Sequence, residues 1–325
     1  STALYYLPLV GSPFEALCYK VTALDFSCSV DPNIFPLLLC FDWLPCVIGL
    51  EPPLGSRFFS LIWNAAMRIA TWNVNGLRAR LDYITRWLED RQPDVVGLQE
   101  LKTPDELFPH EYFKDLGYEA LVHGQKSWNG VAILTKVPAT LTGTGVANQD
   151  AFGSRLITAN IDDKVSFTTV YCPNGKNLEH ADFAGKLGWY DDLTQQWQLL
   201  SDGPAHRIIC GDFNIVPKAI DGWRGEAGEG SIFYTAEERS RLQTLMDTGL
   251  TDLFRHKYPD AQEFSWWDYR GGAFHRKHGL RIDFILATSG LIDLTEEIVI
   301  DRDYRRKIDD LTASDHAPVY ADIAL

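Results

Sequence analysis

The sequence predicts an α/β protein in which β-sheets pack on one another and helices cover the outside. Three observations lead there. Short apolar runs recur along the chain and end in turn-forming or polar residues. A few longer segments carry apolar residues at helical spacing, and the stretches between elements are long and rich in Gly, Pro, Asn and Asp. Strands that outnumber helices favour packed sheets with helices outside, and residues 67–325 supply enough chain for one domain of roughly 260 residues.

The elements can be taken in order. Residues 68–74 read as a strand running into the polar turn Asn75-Gly76. Leu77, Leu81, Ile84 and Leu88 then fall at helical spacing, and Pro93 closes that helix. Residues 94–99 carry the apolar run Val95-Val96-Gly97-Leu98, a short buried strand. Residues 130–135, 156–161, 165–171 and 207–210 are further strands. Phe183, Leu187, Tyr190, Leu193 and Trp197 mark a long amphipathic helix. A second helix begins at Thr235, where Glu238 completes a capping box, and ends near Gly249. Residues 281–287 and 317–323 are late strands.

The first 66 residues follow no such pattern. They are apolar and Pro-rich, hold four of the six cysteines (Cys18, Cys28, Cys40, Cys46) and show no sustained period. The chain begins at Ser1 and its first methionine is Met67. No basic segment of the signal-peptide kind precedes a hydrophobic stretch, and Pro36, Asp42 and Pro45 interrupt the best membrane candidate. Residues 1–66 are therefore expected to be an upstream translation artefact or an unstructured appendage. Cys172 and Cys210 alone remain, without a CxxC pair, which argues against zinc-ribbon and thioredoxin-like chemistry and suits a reducing compartment. The net charge of −14 argues weakly against nucleic-acid binding. It does not locate charge, however, and a divalent cation with one local basic surface suffices for a nuclease.

The chemistry sits where apolar runs end. Four segments deliver oxygen or nitrogen donors: Trp72-Asn73-Val74-Asn75-Gly76, Leu98-Gln99-Glu100-Leu101-Lys102, Gly211-Asp212-Phe213-Asn214 and Ser314-Asp315-His316-Ala317-Pro318. Any one of them alone reads as a turn, a solvated charge or a structural histidine. Together they form an oxygen-rich, cysteine-free donor set that suits Mg²⁺ or Mn²⁺ rather than zinc. Ser314-Asp315-His316 makes no catalytic triad, because neighbours in an extended segment point to opposite faces, and there is no Gly-x-Ser-x-Gly elbow.

These motifs resemble the exonuclease III family of apurinic/apyrimidinic endonucleases across residues 67–325. The resemblance rests on Pro93-Asp94-Val95-Val96-Gly97-Leu98-Gln99-Glu100-Leu101-Lys102, Gly211-Asp212-Phe213-Asn214, Phe264-Ser265-Trp266-Trp267-Asp268-Tyr269-Arg270, Gly279-Leu280-Arg281-Ile282-Asp283 and Ser314-Asp315-His316-Ala317-Pro318. It implies a DNase I-like fold, a four-layer α/β sandwich with two packed mixed β-sheets flanked by helices. It also implies a Mg²⁺- or Mn²⁺-dependent hydrolase that acts as a monomer on double-stranded DNA, cutting 5′ to abasic sites and cleaning or digesting blocked 3′ ends. The setting it implies is the bacterial cytoplasm, at the nucleoid, with no membrane.

The resemblance assigns roles by position. Glu100 binds the metal, with Asn73 or Asn75 and Asp315 nearby, and Asp212, Asn214 and His316 close enough to join the ligand set. Asp212 positions or deprotonates the attacking water, Asn214 orients that water or the phosphate, and His316, held by Asp283, stabilises the charged transition state. Whether Asp212 or His316 is the general base stays open. Tyr171 contacts the scissile phosphate or leaving group, with Asn174 beside it. Trp266, Leu280 and Ile282 match the apolar pocket for an extruded abasic sugar, the alternative being ordinary core residues. Arg270, Lys176 and Lys126 are candidate DNA contacts, as is the basic run His275-Arg276-Lys277-His278. Leu101 and Leu253 stand where many relatives carry Thr or Ser, with no catalytic consequence expected.

Overall fold

In the computed structural model, residues 66–199 and 203–325 are described. Two six-stranded mixed sheets lie at the centre. The first has strand order β11-β12-β1-β2-β4-β3 and the second β5-β6-β7-β8-β10-β9. In chain order these are β1 (Met67–Asn73), β2 (Val95–Gln99), β3 (Glu119–His123), β4 (Val131–Thr135), β5 (Ala139–Thr144), β6 (Leu156–Ile161), β7 (Val165–Tyr171), β8 (His206–Asp212), β9 (Leu250–Asp252), β10 (Asp283–Thr288), β11 (Thr295–Ile300) and β12 (Val319–Ile323). The helices are α1 (Leu81–Arg91), α2 (His110–Asp115), α3 (Ala181–Leu199), α4 (Ala236–Met246) and α5 (Leu253–Lys257). Each sheet has one parallel pair, β1 with β2 and β7 with β8, and is otherwise antiparallel. The four-layer expectation is met. Of the expected extension, residues 1–65 lie outside the described residues.

Side-chain alternation explains the layers. Along β1, Ile69 faces the opposite sheet while Ala70 and Trp72 face α1. Ile69, Val95 and Ile133 of one sheet meet Phe167, Ile208 and Ile285 of the other in the middle core. Trp72, Val96 and Leu98 pack outward on Ile84, Trp87 and Leu88 of α1. Val170, Ile209 and Phe284 pack outward on Trp189, Leu193 and Trp197 of α3 and Leu242 of α4. Central strands buried on both faces are near-continuous apolar runs, which is why they stood out in the sequence.

One helix starts as expected and another differs in detail. The box at Thr235 is present: its hydroxyl accepts from the Glu238 amide, and the Glu238 carboxylate accepts from the Thr235 amide. On α3, however, the buried face is Lys186, Trp189, Tyr190, Leu193, Thr194 and Trp197, whereas Phe183 and Leu187 are only half-buried. A buried lysine rotated the face away from the apolar count.

The sheets approach closely at Gly97, where a Cβ would lie 2.5 Å from the Thr169 side chain of the facing sheet. Beside it Gln99 Nε2 donates to Thr71 Oγ1 at 2.8 Å and Thr169 Oγ1 at 2.7 Å, a polar tie between layers. Gly97→Ala is therefore expected to destabilise the fold by about 1–3 kcal/mol through overpacking. Chemical denaturation checks this, and a variant as stable as the parent would refute the close approach.

Candidate active site

Strand ends from both sheets converge on one cavity of about 220 Å³. Asn75 and Glu100 come from the first sheet, Tyr171, Asp212 and Asn214 from the second, and Asp315 and His316 from the segment entering β12. Phe233, Trp266, Ile282 and Asn174 complete the wall. β1 pairs with β2 so that Asn73 stands opposite Gln99, and β8 pairs with β10 so that Asp212 stands opposite Asp283. Register alone thus puts the donors of neighbouring strands at the same end.

Buried hydrogen bonds fix each side chain. Asn73 is fully buried; its Nδ2 donates to Asp212 Oδ2 at 2.9 Å and its Oδ1 accepts from the Asn75 amide at 3.0 Å. It is the one expected metal donor that does not line the cavity, and it acts instead as a strut under Asp212. Asn214 takes a left-handed conformation, φ 51°. Its amide donates to Asp212 Oδ1 at 3.0 Å and one Nδ2 hydrogen to the Cys172 carbonyl at 3.0 Å, so Oδ1 and the second Nδ2 hydrogen are left for the cavity. Asn214 can therefore accept from a water through Oδ1 or donate to a phosphate through its second Nδ2 hydrogen. Tyr171 stands between Glu100 and Asp212 electrostatically; burial first, then those two charges, raise its phenol well above the ordinary value.

His316 lies between two carboxylates. Its Nδ1 is 2.9 Å from Asp283 Oδ2, and its Nε2 is 3.7 Å from Asp212 Oδ2. Ser265 Oγ accepts from the amides of Ile282 and Asp283 at 3.1 Å each, holding Asp283 in place. Burial disfavours the imidazolium, but the charges of Asp283 and Asp212 outweigh it and raise His316 to about 10. Burial likewise pushes Asp212 up to about 7, against the pull of His316. Nearest oxygens and nitrogens of Asp212, Asp283 and His316 come within 4.8 Å of one another, a spacing a metal could use. With Nδ1 held by Asp283 and its proton affinity raised, the metal-free His316 suits a charged hydrogen-bond donor through Nε2.

The cation-seeking part of the site is the other rim. Lys102 Nζ sits 2.6 Å from Asn75 Oδ1 and 3.0 Å from Glu100 Oε1, so these two oxygens already share a positive charge. Both residues hold left-handed backbone, φ 47° and 58°, that turns them inward. Asp315 adds charge beside them. Burial works against its ionisation, but His316 and the hydrogen bonds from Asn75 and Trp266 hold it below the usual carboxylate range. Its oxygens accept from Asn75 Nδ2 at 2.9 Å and Trp266 Nε1 at 3.0 Å. Glu100, Asn75 and Asp315 thus offer the oxygen donors that a hard divalent cation takes.

Other expected contacts lie further out. Leu280 is buried against Val216, Tyr234 and Ile282, and only Ile282 and Trp266 of that apolar trio reach the cavity. Arg270 is exposed and bidentate with Asp268, Lys126 is exposed, and Lys176 pairs with Asp182 at 2.8 Å. Lys102, Phe233 and Ser265 were not singled out by the sequence reading. Lys102 and Ser265 lay within recognised motifs, and a polar residue next to a ligand-bearing strand end was the available signal; Phe233 gave none.

Residues 70–316 match the Endonuclease/Exonuclease/phosphatase family. The chain is 38% identical over 269 residues to exodeoxyribonuclease III of Haemophilus influenzae, covering 79% of this chain and 99% of that protein. It is similar in structure to a 3′ phosphatase from Neisseria bound to product DNA hairpin, with TM-score 0.76, 35% identity, and 79% and 99% of the two chains covered. It is also similar to an AP endonuclease from Archaeoglobus fulgidus, with TM-score 0.74, 29% identity, and 80% and 100% covered.

In the metal-free protein His316 should stay protonated through neutral pH and titrate near 10, as its raised value requires. Asp283→Asn should bring it down toward the unperturbed value of about 6.5. Histidine NMR reads this directly; a parent His316 that titrates at the unperturbed value contradicts the pairing.

Proposed function

The chain belongs to the endonuclease/exonuclease/phosphatase family, and from that premise we propose that it repairs DNA by hydrolysing the backbone 5′ to abasic sites and by clearing or digesting 3′ ends. It is a nuclease of the exodeoxyribonuclease III and AP-endonuclease kind, a metal-dependent hydrolase of phosphodiesters. The observation that carries the reading is the pairing within one cavity of a carboxylate–imidazolium–carboxylate row with an oxygen-donor rim.

Glu100, Asn75 and Asp315 would hold the cation, which we take to be Mg²⁺ or Mn²⁺ from the hardness of these donors. When bound, it supplies charge to neutralise the phosphate oxygens. Asp212 accepts the proton of the attacking water, since its carboxylate is the basic group held by both Asn73 and the Asn214 amide. Asn214 Oδ1 orients the same water. His316 donates to a phosphate oxygen, where charge accumulates as the nucleophile closes in, and Asp283 keeps it charged. Tyr171 lies at the leaving-group side, its phenol kept neutral and so able to donate.

Selectivity for abasic DNA rests on the narrow wall of Trp266 and Ile282, backed by Leu280. A base-free sugar turned out of the helix fits a small apolar recess that a whole nucleotide does not. Asn174, Lys126, Arg270 and the run His275–His278 stand as DNA-backbone contacts, and no partner subunit is required. Among the described residues no helix is long and apolar enough to cross a membrane. We place the protein in the bacterial cytoplasm, on the chromosome, on its likeness to bacterial relatives.

The full chain is expected to cut a duplex carrying one tetrahydrofuran abasic analogue 5′ to the lesion with Mg²⁺ present, and to stop when EDTA is added. Asp212→Asn should lower the rate ~10²–10⁴-fold, the range for a lost general base. Incision that survives EDTA, or equal attack on undamaged duplex, would defeat the repair reading.

A further inference from the structure

Behind the cavity lies a buried cation that the chemistry above leaves without a task. Lys186, on α3, is fully buried. Its Nζ donates to the main-chain carbonyl of Asn214 at 2.7 Å and to Glu238 Oε1 at 2.5 Å, and stands 4.9 Å from the centroid of the Phe233 ring. One turn along the same helix, the Tyr190 hydroxyl donates to the carbonyl of Phe213. Residues at i and i+4 share a helix face. Two side chains of α3 thus grip the carbonyls of successive residues in the segment that carries the Asp212 and Asn214 chemistry.

This grip has no obvious purpose as packing. A lysine in a core loses its hydration and is tolerated only when paired, and apolar residues of similar volume often serve stability as well. Glu238 needs no lysine to complete its helix cap, because Oε2 already accepts from the Thr235 amide at 3.1 Å and hydroxyl at 2.9 Å. Its other oxygen is turned to Lys186. What the lysine adds is a hold on Asn214. That residue has a left-handed backbone, its amide and Nδ2 are committed, and the bond from Lys186 fixes the carbonyl too. Oδ1 and the second Nδ2 hydrogen are then what Asn214 has left for the cavity, and the direction of both follows from the three bonds already made. Phe233, under the same ammonium, also lines that cavity.

Building on the phosphodiesterase reading, we infer that Lys186, backed by Glu238, is a positioning residue: it locks the main chain at Asn214 and so aims Asn214 Oδ1 at the attacking water without touching substrate. Misplacement of a reacting group by about 1 Å costs roughly 10²-fold in rate. Pairing Lys186→Met with Glu238→Leu removes both buried charges together and keeps volume. Tyr190→Phe removes one hydroxyl and is the milder second variant.

Steady-state incision of the abasic duplex by the full chain, with thermal unfolding alongside, tests this. The double variant is expected to fold but melt below the parent, since Glu238→Leu also gives up the cap on Thr235, and at a temperature where it is folded to lose about 10²-fold in kcat and keep its KM; Tyr190→Phe should lose kcat in the same direction by less. A merely structural pair predicts a folded double variant with the parent's kcat, and that result overturns the inference. So does a double variant that fails to fold together with a Tyr190→Phe protein at the parent's rate. A parent chain that cannot cut the abasic duplex instead overturns the phosphodiesterase reading, and this inference falls with it.

Discussion

The bond from Asn73 to Asp212 joins the two sheets at the one end where chemistry is placed. Asn73 closes β1 of the first sheet and Asp212 closes β8 of the second, and they meet at 2.9 Å with both residues buried. That meeting requires the sheets to come close. Gly97 permits it against Thr169, and Gln99 ties the two layers with bonds to Thr71 and Thr169. Were the sheets splayed here, the oxygen donors of one and the buried carboxylate of the other would belong to separate surfaces.

Burial sets the electrostatics from there. A carboxylate removed from water prefers to be neutral, and Asp212 is pushed up accordingly. His316 answers with a charge that Asp283 sustains, while the opposite rim gathers Glu100 and Asp315. Positive charge is thereby wanted at two places in one small cavity, which is the pattern that a phosphate and its counter-ion would satisfy. Lys102, bonded to both Glu100 and Asn75, reports that demand in the protein's own side chains.

Much of this was legible in the sequence, for a physical reason. Central strands covered on both faces are continuous apolar runs, and those ending in polar residues that a strand interior would not accept, β1, β2 and β8, were found with their donors; Tyr171 at the end of β7 came only from the family resemblance. The elements that escaped are edge or short ones. β5 is largely exposed, β3 is at best half-buried, and α2 and α5 have 6 and 5 residues. None carries a long apolar run or two full turns of helical periodicity. Asn73 and Leu280 were expected at the cavity and stand one layer behind it, a distinction of depth that spacing does not encode. Lys186 escaped because a lysine on a helix reads as solvated; only packing against Glu238 and the Asn214 carbonyl reveals it as core.

The central claim is that the two sheets contribute to one reacting unit. A double-mutant cycle between Glu100→Gln of the first sheet and Asp212→Asn of the second, read as abasic-site incision at saturating Mg²⁺, tests it most directly. Groups that act as a unit are strongly non-additive. The account predicts that the double variant is little slower than the slower single variant. Losses that multiply in full would mean that the strand ends work independently, and would contradict it.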